Sequence, residues 1–438
     1  MTRRSFGLIL AALGAIRLAL MATVPVFEPS EARYAAIAAN MARTGDFVVP
    51  RFTHNLKYQS FDGKPPLVFQ AGGLFCEVFG VNEFAVRLFP FLSAALLLLI
   101  LHHGVKRFSS AQTARLAVVI CASCTAFYAA AGIAMTDMTL ACCVAGALIL
   151  YRCFLDGFAW RYAAGVMALT GAGMIVKGPV ALVMFGLPVL VDAIVNRRWT
   201  GIFNWKWLAT APLFLLIAVP WFVLVEQRNP GAVWYFFYNE NLMRFISPDY
   251  GDKYGAGREA FRGVSVVWAF VATLPWALLP LWGIFRRFGK SSNQTIRQSN
   301  NFPWKSFEFL SLAAITGFWC LTSRVLIYYL FPVIPLFAAG IALEGDRVVL
   351  RKMMPWCVGL SCVVLIGALV GGMVFSDKME GADTKFHPLE NHYAYEFYHG
   401  RKSDEELAKY VKVRDEYLRC RAERRAREAA ERAKEAEK

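Results

Sequence analysis

Charge is scarce in this chain of 438 residues. Only 18% of it is Asp, Glu, Lys or Arg, and acids are the scarcer sign, 32 against 47. A soluble domain carries about 25% charged and about 45–50% apolar residues; here 57% is apolar. So much apolar surface has to be buried, which excludes a disordered chain. Cysteine is dilute, ten residues in all, which excludes a disulfide-stapled scaffold. The CxxC formed by Cys121 and Cys124 lies inside an apolar run. Without a second ligand pair it reads as helix packing, not as a zinc or redox site. What is abundant is long apolar runs, and these define a membrane protein.

A run of about 18 or more apolar residues is long enough to cross a bilayer. Eleven stretches qualify: 5–27, 84–105, 113–132, 137–156, 160–176, 178–195, 207–225, 263–285, 306–323, 325–343 and 353–375. The first follows Thr2-Arg3-Arg4; it is longer than a signal sequence and lacks a small-residue cleavage site, so it reads as a retained helix. With the N-terminus inside, the inner loops hold 18 Lys and Arg, among them Arg107, Arg152, Arg198 and Arg287, against five acids. The outer segments up to residue 375 are close to balanced. Positive loops face the cytoplasm, so the net charge of +15 reports orientation. Nucleic-acid binding is disfavoured, because no basic face gathers outside these short loops.

The expected architecture is an all-α polytopic membrane domain over residues 1–375, with two long outer segments, 28–83 and 226–262, and a charged, helical outer tail over 376–438. Pairs such as Glu423 with Arg427 and Glu428 with Arg432 have helical i,i+4 spacing in that tail. Long segments carry function more often than short connections do. In the first, Pro29 and Ser30 open a helix with a stripe of Ala35, Ala38, Ala39 and Ala42, and Gly45 stops it. It is expected to lie in the interface. Glu28 and Glu31 stand at its first turn, as capping acids or as functional carboxylates.

Further on, Lys64 directly precedes Pro65 and Pro66, which hold its backbone extended. A rigidly placed ammonium suits a phosphate, and Asp62 beside it is either its partner or a metal ligand. Asp137, Lys177, Arg244, Arg324, Tyr328 and Tyr329 fall at helix ends on the same face. Polar groups at membrane level are functional by default. Carboxylates that can take a proton from a hydroxyl and cations that can neutralise a phosphate leaving group thus converge on one side.

Several runs resemble the polyprenyl-phosphate-dependent glycosyltransferases of the GT-C fold, the superfamily of the lipid A aminoarabinose transferases and the protein mannosyltransferases. They are Glu31-Ala32-Arg33-Tyr34-Ala35 followed by Met41-Ala42-Arg43-Thr44-Gly45-Asp46-Phe47-Val48-Val49-Pro50, Lys64-Pro65-Pro66-Leu67, Phe79-Gly80-Val81-Asn82-Glu83-Phe84-Ala85-Val86-Arg87-Leu88, Lys177-Gly178-Pro179, Arg244-Phe245, Pro275-Trp276, and Arg324 with Tyr328-Tyr329, Pro332 and Pro335. Together they cover about residues 5–345. The resemblance implies a sugar donor on a polyprenyl phosphate, an inverting transfer at the periplasmic face of a bacterial inner membrane, and an envelope glycolipid or glycan as acceptor. It implies that Lys64 and Arg244 hold the donor phosphate, with Tyr328, Tyr329, Lys177, Arg324, Arg33 and Tyr34 assisting. Glu31, Glu28 and Asp137 are its candidate catalytic acids, and Asp62 is the candidate ligand for a divalent metal. Four positions depart from the family pattern: Ser30 stands where an Asp is usual, Gly63 where an acid precedes the Lys-Pro, and Asn239 and Asn241 where a relative has histidines, one of them a metal ligand. Two other readings fit the composition. One is a protein O-glycosyltransferase of the same superfamily. The other is a lipid-linked sugar transporter, although its midplane site and two-fold repeat are not visible here.

Overall fold

The computed structural model describes residues 2–27, 29–247, 253–254, 260–279, 306–345, 347–383 and 393–413, with 415, 416, 419 and 423. Among the described residues the regular structure is helical apart from one hairpin. Its helices are α1 (Arg3–Thr23), α2 (Ser30–Thr44), α3 (Leu67–Phe79), α4 (Glu83–Phe108), α5 (Ala111–Ala122), α6 (Thr125–Ala130), α7 (Thr136–Phe154), α8 (Trp160–Lys177), α9 (Pro179–Asn196), α10 (Trp199–Ile202) and α11 (Trp205–Arg228). They continue with α12 (Ala232–Trp234), a π-helix (Tyr235–Met243), α13 (Arg244–Ile246), α14 (Val264–Ala272), α15 (Phe307–Cys320), α16 (Val333–Glu344), α17 (Arg347–Asp383) and α18 (Tyr393–His399).

Each of the eleven expected spans contains a helix. Among the described residues, α1, α4, α7, α9 and α11 are long and apolar enough to cross a membrane, and α3, α5, α15 and α16 are shorter apolar helices. The protein is therefore a multi-pass membrane protein. Helix α7 is the hub, buried on nearly every side and packed against α4, α8 and α9.

Two expected spans are broken, for visible reasons. The stretch 113–132 divides at Ser123, whose hydroxyl accepts the Trp276 indole N–H at 2.9 Å and whose carbonyl accepts the Ser361 hydroxyl at 2.6 Å. The Thr125 N–H goes to the carbonyl of Leu274. A passing chain thus takes up groups that a continuous helix would pair internally. The stretch 325–343 starts as a 3₁₀ turn, Ile327–Leu330, and becomes α-helical only after Pro332; proline lacks the N–H that a continuing helix needs.

The first outer segment folds as α2, a two-stranded antiparallel hairpin (β1, Arg51–His54; β2, Lys57–Ser60) and α3. The hairpin has no counterpart in the sequence reading. Its turn places Asn55 and Leu56 at φ 50° and 62°. Pro29, not Ser30, caps α2, and Gly45 ends it at φ 69°. The alanine stripe allows α3 to lie unusually close. A Cβ on Gly73 would stand 3.0 Å from the Ala38 carbonyl oxygen, and one on Gly72 would stand 3.1 Å from the Ala38 Cβ.

The start of the tail is not a solvated extension. Helix α18 packs on α2, with Tyr393, Ala394 and Phe397 buried among its alanines. The buried Glu396 carboxylate accepts the Asn40 amide and the Thr53 N–H, both at 2.8 Å. Arg43 donates to the carbonyls of Glu396 and Phe397 at 2.9 and 2.6 Å. The pairs Glu423–Arg427 and Glu428–Arg432 lie outside the described residues. Glu396→Ala strands two buried donors, at about 1–3 kcal/mol. Faster amide exchange or proteolysis confined to 393–399, with the membrane helices unchanged, is the expected readout.

Candidate active site

One cavity of about 370 Å³ opens where the first outer segment meets the ends of α7 and α8, the π-helix and the 327–330 turn. Lys64 enters it just ahead of α3, which Pro66 caps. Asp137 stands in the first turn of α7 and Lys177 in the last turn of α8, each where the helix dipole favours its charge. Gly178, at φ 80°, turns the chain from α8 into α9. A Cβ there would meet the Phe236 ring at 2.4 Å, so only glycine lets the π-helix close over this junction. That π-helix, in turn, aims Glu240 and Arg244 inward. Irregular turns of this kind re-aim side chains that an ordinary helix would spread around its axis.

Two ion pairs organise the phosphate-sized end. Lys177 donates to Asp137 Oδ1 at 2.5 Å and lies 4.1 Å from the centre of the Tyr329 ring. Glu240 Oε2 accepts from Arg244 at 3.1 Å, and Lys64 Nζ is 3.9 Å away. Among the described residues that line this cavity, the charged ones are the cations Arg33, Lys64, Lys177 and Arg244 and the carboxylates Asp137 and Glu240. Burial, opposed by Glu240 and aided by Arg244 and Lys177, pulls the Lys64 ammonium down to about 7.

The opposite end is aromatic. Arg33 lies 5.5–5.7 Å from the ring centres of Tyr34, Phe61 and Tyr393, and the Tyr254 ring lies tilted against Phe61 with centres 4.8 Å apart. Burial pushes the Tyr254 phenol up and the Tyr34 phenol up to about 12, so both remain hydroxyl donors.

The structure therefore gathers Lys64, Arg244, Asp137, Lys177, Tyr328, Tyr329, Arg33 and Tyr34 around one cavity, and Arg324 lines a small recess that shares five residues with it. Glu31 is elsewhere. It is buried, and its two oxygens accept four hydrogen bonds: Arg87 Nε (2.8 Å) and Nη2 (3.0 Å), and the N–H groups of Phe27 and Ala134 (both 3.0 Å). Arg87 also donates to the carbonyls of Met21, Val24 and Pro25. Glu31 ties the ends of α1, α2 and α4 together and does not line the cavity. Glu28 lies outside the described residues.

Asp62 does not fit the expected metal. Asn229 donates to its Oδ1 at 2.8 Å and Lys253 to its Oδ2 at 3.3 Å, and an ammonium competes with a cation for the same lone pairs. No group of three His, Cys, Asp or Glu gathers among the described residues, and no step is derived through a metal. Among the cavity residues that escaped the sequence reading are Glu240, Tyr254 and Tyr393. Only Glu240 carried a signal, an acid four residues before Arg244.

Fold and cavity together define a polytopic, all-α membrane protein with cations and carboxylates gathered at one face. The comparisons agree. Residues 63–223 match the family model described as dolichyl-phosphate-mannose-protein mannosyltransferase. The chain is similar to the undecaprenyl phosphate-alpha-4-amino-4-deoxy-L-arabinose arabinosyl transferases of Edwardsiella ictaluri, 28% identical over 59% of this chain and 45% of the relative, and of Yersinia pestis, 27% identical over 63% and 48%. The chain thus matches about half the length of these curated relatives. Its fold is that of ArnT from Cupriavidus metallidurans bound to undecaprenyl phosphate, with TM-score 0.72, 20% identity, and 94% and 88% of the two chains covered. The apo structure of the same protein gives a TM-score of 0.64 at 22% identity, covering 90% of this chain and 74% of that one.

Proposed function

We propose that the protein transfers a sugar, with inversion, from a polyprenyl-phosphate donor to an envelope glycolipid or glycan at the periplasmic face of a bacterial inner membrane. The observation that carries this reading is the cavity whose four cations face two carboxylates at the membrane-exit ends of α7 and α8. Lys64 and Arg244, with Tyr328 and Tyr329, hold the donor phosphate, and Arg324 supports that end. The acceptor oxygen attacks the anomeric carbon as the bond from that carbon to the phosphate oxygen breaks. The acceptor proton passes to the Asp137 oxygen that Lys177 does not hold, and the departing polyprenyl phosphate is neutralised by the cations. An acceptor that is itself a phosphate arrives ionised and needs less of Asp137. The aromatic end, with Arg33 and Tyr34, is then left for the sugar and acceptor. The matching arabinosyl transferases support an amino-sugar donor on undecaprenyl phosphate and an acceptor such as lipid A. The mannosyltransferase family model supports a protein acceptor as the second reading. Inner loops rich in Lys and Arg support a cytoplasmic N-terminus, and α18 on α2 supports a tail on the cavity side. The functional unit accordingly extends beyond the membrane helices, through residue 399.

Transfer of radiolabelled sugar from purified polyprenyl-phosphate donors to envelope lipid or protein fractions tests the reading. Donor binding without transfer to either fraction would overturn it. Lys64→Ala should weaken donor binding about tenfold or more, the scale of a charge-assisted hydrogen bond to phosphate. The pH dependence follows. Below pH 7 the ammonium is already charged. Above it, the empty site holds a neutral amine, which must take a proton from solvent for the phosphate to bind an ammonium. Donor affinity is therefore flat below pH 7 and falls toward higher pH, by up to about tenfold per unit. Lys64→Arg should flatten that decline in a binding titration.

A further inference from the structure

The helices that frame the cavity also frame a second site at their far ends. Helix α4 runs 26 residues from Glu83 to Phe108, about 39 Å at the α-helical rise. Arg107 lies in its last turn and Arg152 in the last turn of α7, and Arg198 follows the end of α9. All three line one recess of about 490 Å³, with Asp156 its lining carboxylate. Helix ends attract cations in any case; what differs here is the pairing. Arg107 meets Asp156 at 2.8 Å and Arg198 meets the buried Asp192 at 3.3 Å, and the buried Glu308 interacts electrostatically with Arg152 and Arg198. Arg152 lies over the Phe108 ring at 4.6 Å, and its Nε is buried without a hydrogen-bond partner, as is the neighbouring Tyr151 hydroxyl.

An apolar groove of about 580 Å³ adjoins this recess, walled by Val166, Phe185, Val189, Trp207 and Phe214. The two meet at Gly201, where a Cβ would fall 2.4 Å from both Leu155 Cδ2 and the Tyr151 hydroxyl oxygen. Trp160, Trp199 and Trp205 are 43%, 42% and 67% exposed beside it, the signature of an aromatic belt at headgroup depth. A phosphate beside an acyl chain is the chemistry that an arginine recess next to an apolar groove recognises.

We infer that this is a binding site for one anionic glycerophospholipid, its phosphate held by Arg107, Arg152 and Arg198 and an acyl chain laid in the groove. On the orientation proposed above, the lipid comes from the inner leaflet. Binding there is independent of the transfer reaction.

Native mass spectrometry of the intact protein, exchanged into micelles containing phosphatidylglycerol or phosphatidylcholine, tests the site. Phosphatidylglycerol should be retained preferentially. Arg152→Gln should lower that retention about fivefold, and the triple Gln variant at Arg107, Arg152 and Arg198 much further, on the scale of single basic contacts to anionic lipid. Gly186→Leu fills the groove without touching a charge, since a Cβ at Gly186 meets nothing within 4 Å. It should lower retention while leaving the unfolding temperature of lipid-free protein unchanged. Equal retention of both lipids would overturn the inference. So would displacement by millimolar inorganic phosphate, which would mark a free-anion site, or undiminished retention in Gly186→Leu should the arginine variants fail to fold.

Discussion

Asp137→Asn is expected to lower turnover by about 10²–10⁴-fold, the usual contribution of a positioned general base, while leaving donor affinity within about twofold. Asp137 is the cavity carboxylate not shared between the two cations assigned to the phosphate, since Glu240 serves both Lys64 and Arg244. The substitution also strands Lys177, which is itself buried, so part of any loss could come from weakened packing. The double variant Asp137→Asn/Lys177→Met separates these effects: it should recover thermal stability toward the parent without recovering turnover. If Asp137→Asn turns over at the parental rate with a non-ionised acceptor, Asp137 is not the base.

Arg87→Ala is the second large effect. The guanidinium is 2% exposed and serves both oxygens of Glu31 and three carbonyls around the end of α1. Removing one partner of a buried ion pair typically costs about 3–5 kcal/mol, because the remaining charge stays buried and unpaired. A steep loss of yield and a large drop in the unfolding midpoint in detergent are expected. Glu31→Gln keeps the shape of the acid and some of its acceptors, so it should cost less. Its turnover, measured on the folded fraction, should fall far less than that of Asp137→Asn. The opposite ranking would return Glu31 to the role of base.

The membrane helices were legible because hydropathy and loop charge act over tens of residues, and local irregularity does not erase them. Helix breaks were not. The division at Ser123 depends on Trp276 and Ser361, more than 150 and more than 230 residues away, and no local pattern encodes such partners. Lys64, Lys177 and Arg244 were legible as rare charges at membrane level. Glu31 was misleading for the same reason: an acid in a first helical turn looks alike whether it faces a cavity or an arginine. Its partner Arg87 stood in a run noted for resemblance alone. Tyr393 could not have been found, since it lies in a charged tail and reaches the cavity only because α18 docks on α2.

That docking has a consequence for biosynthesis. Asn40 and Arg43 leave the ribosome some 350 residues before their partners on α18. A membrane chain stalled after its last span would hold Lys64, Asp137 and Arg244 in place, yet lack the Tyr393 wall. The cavity wall is complete only once α18 has been made and has docked on α2.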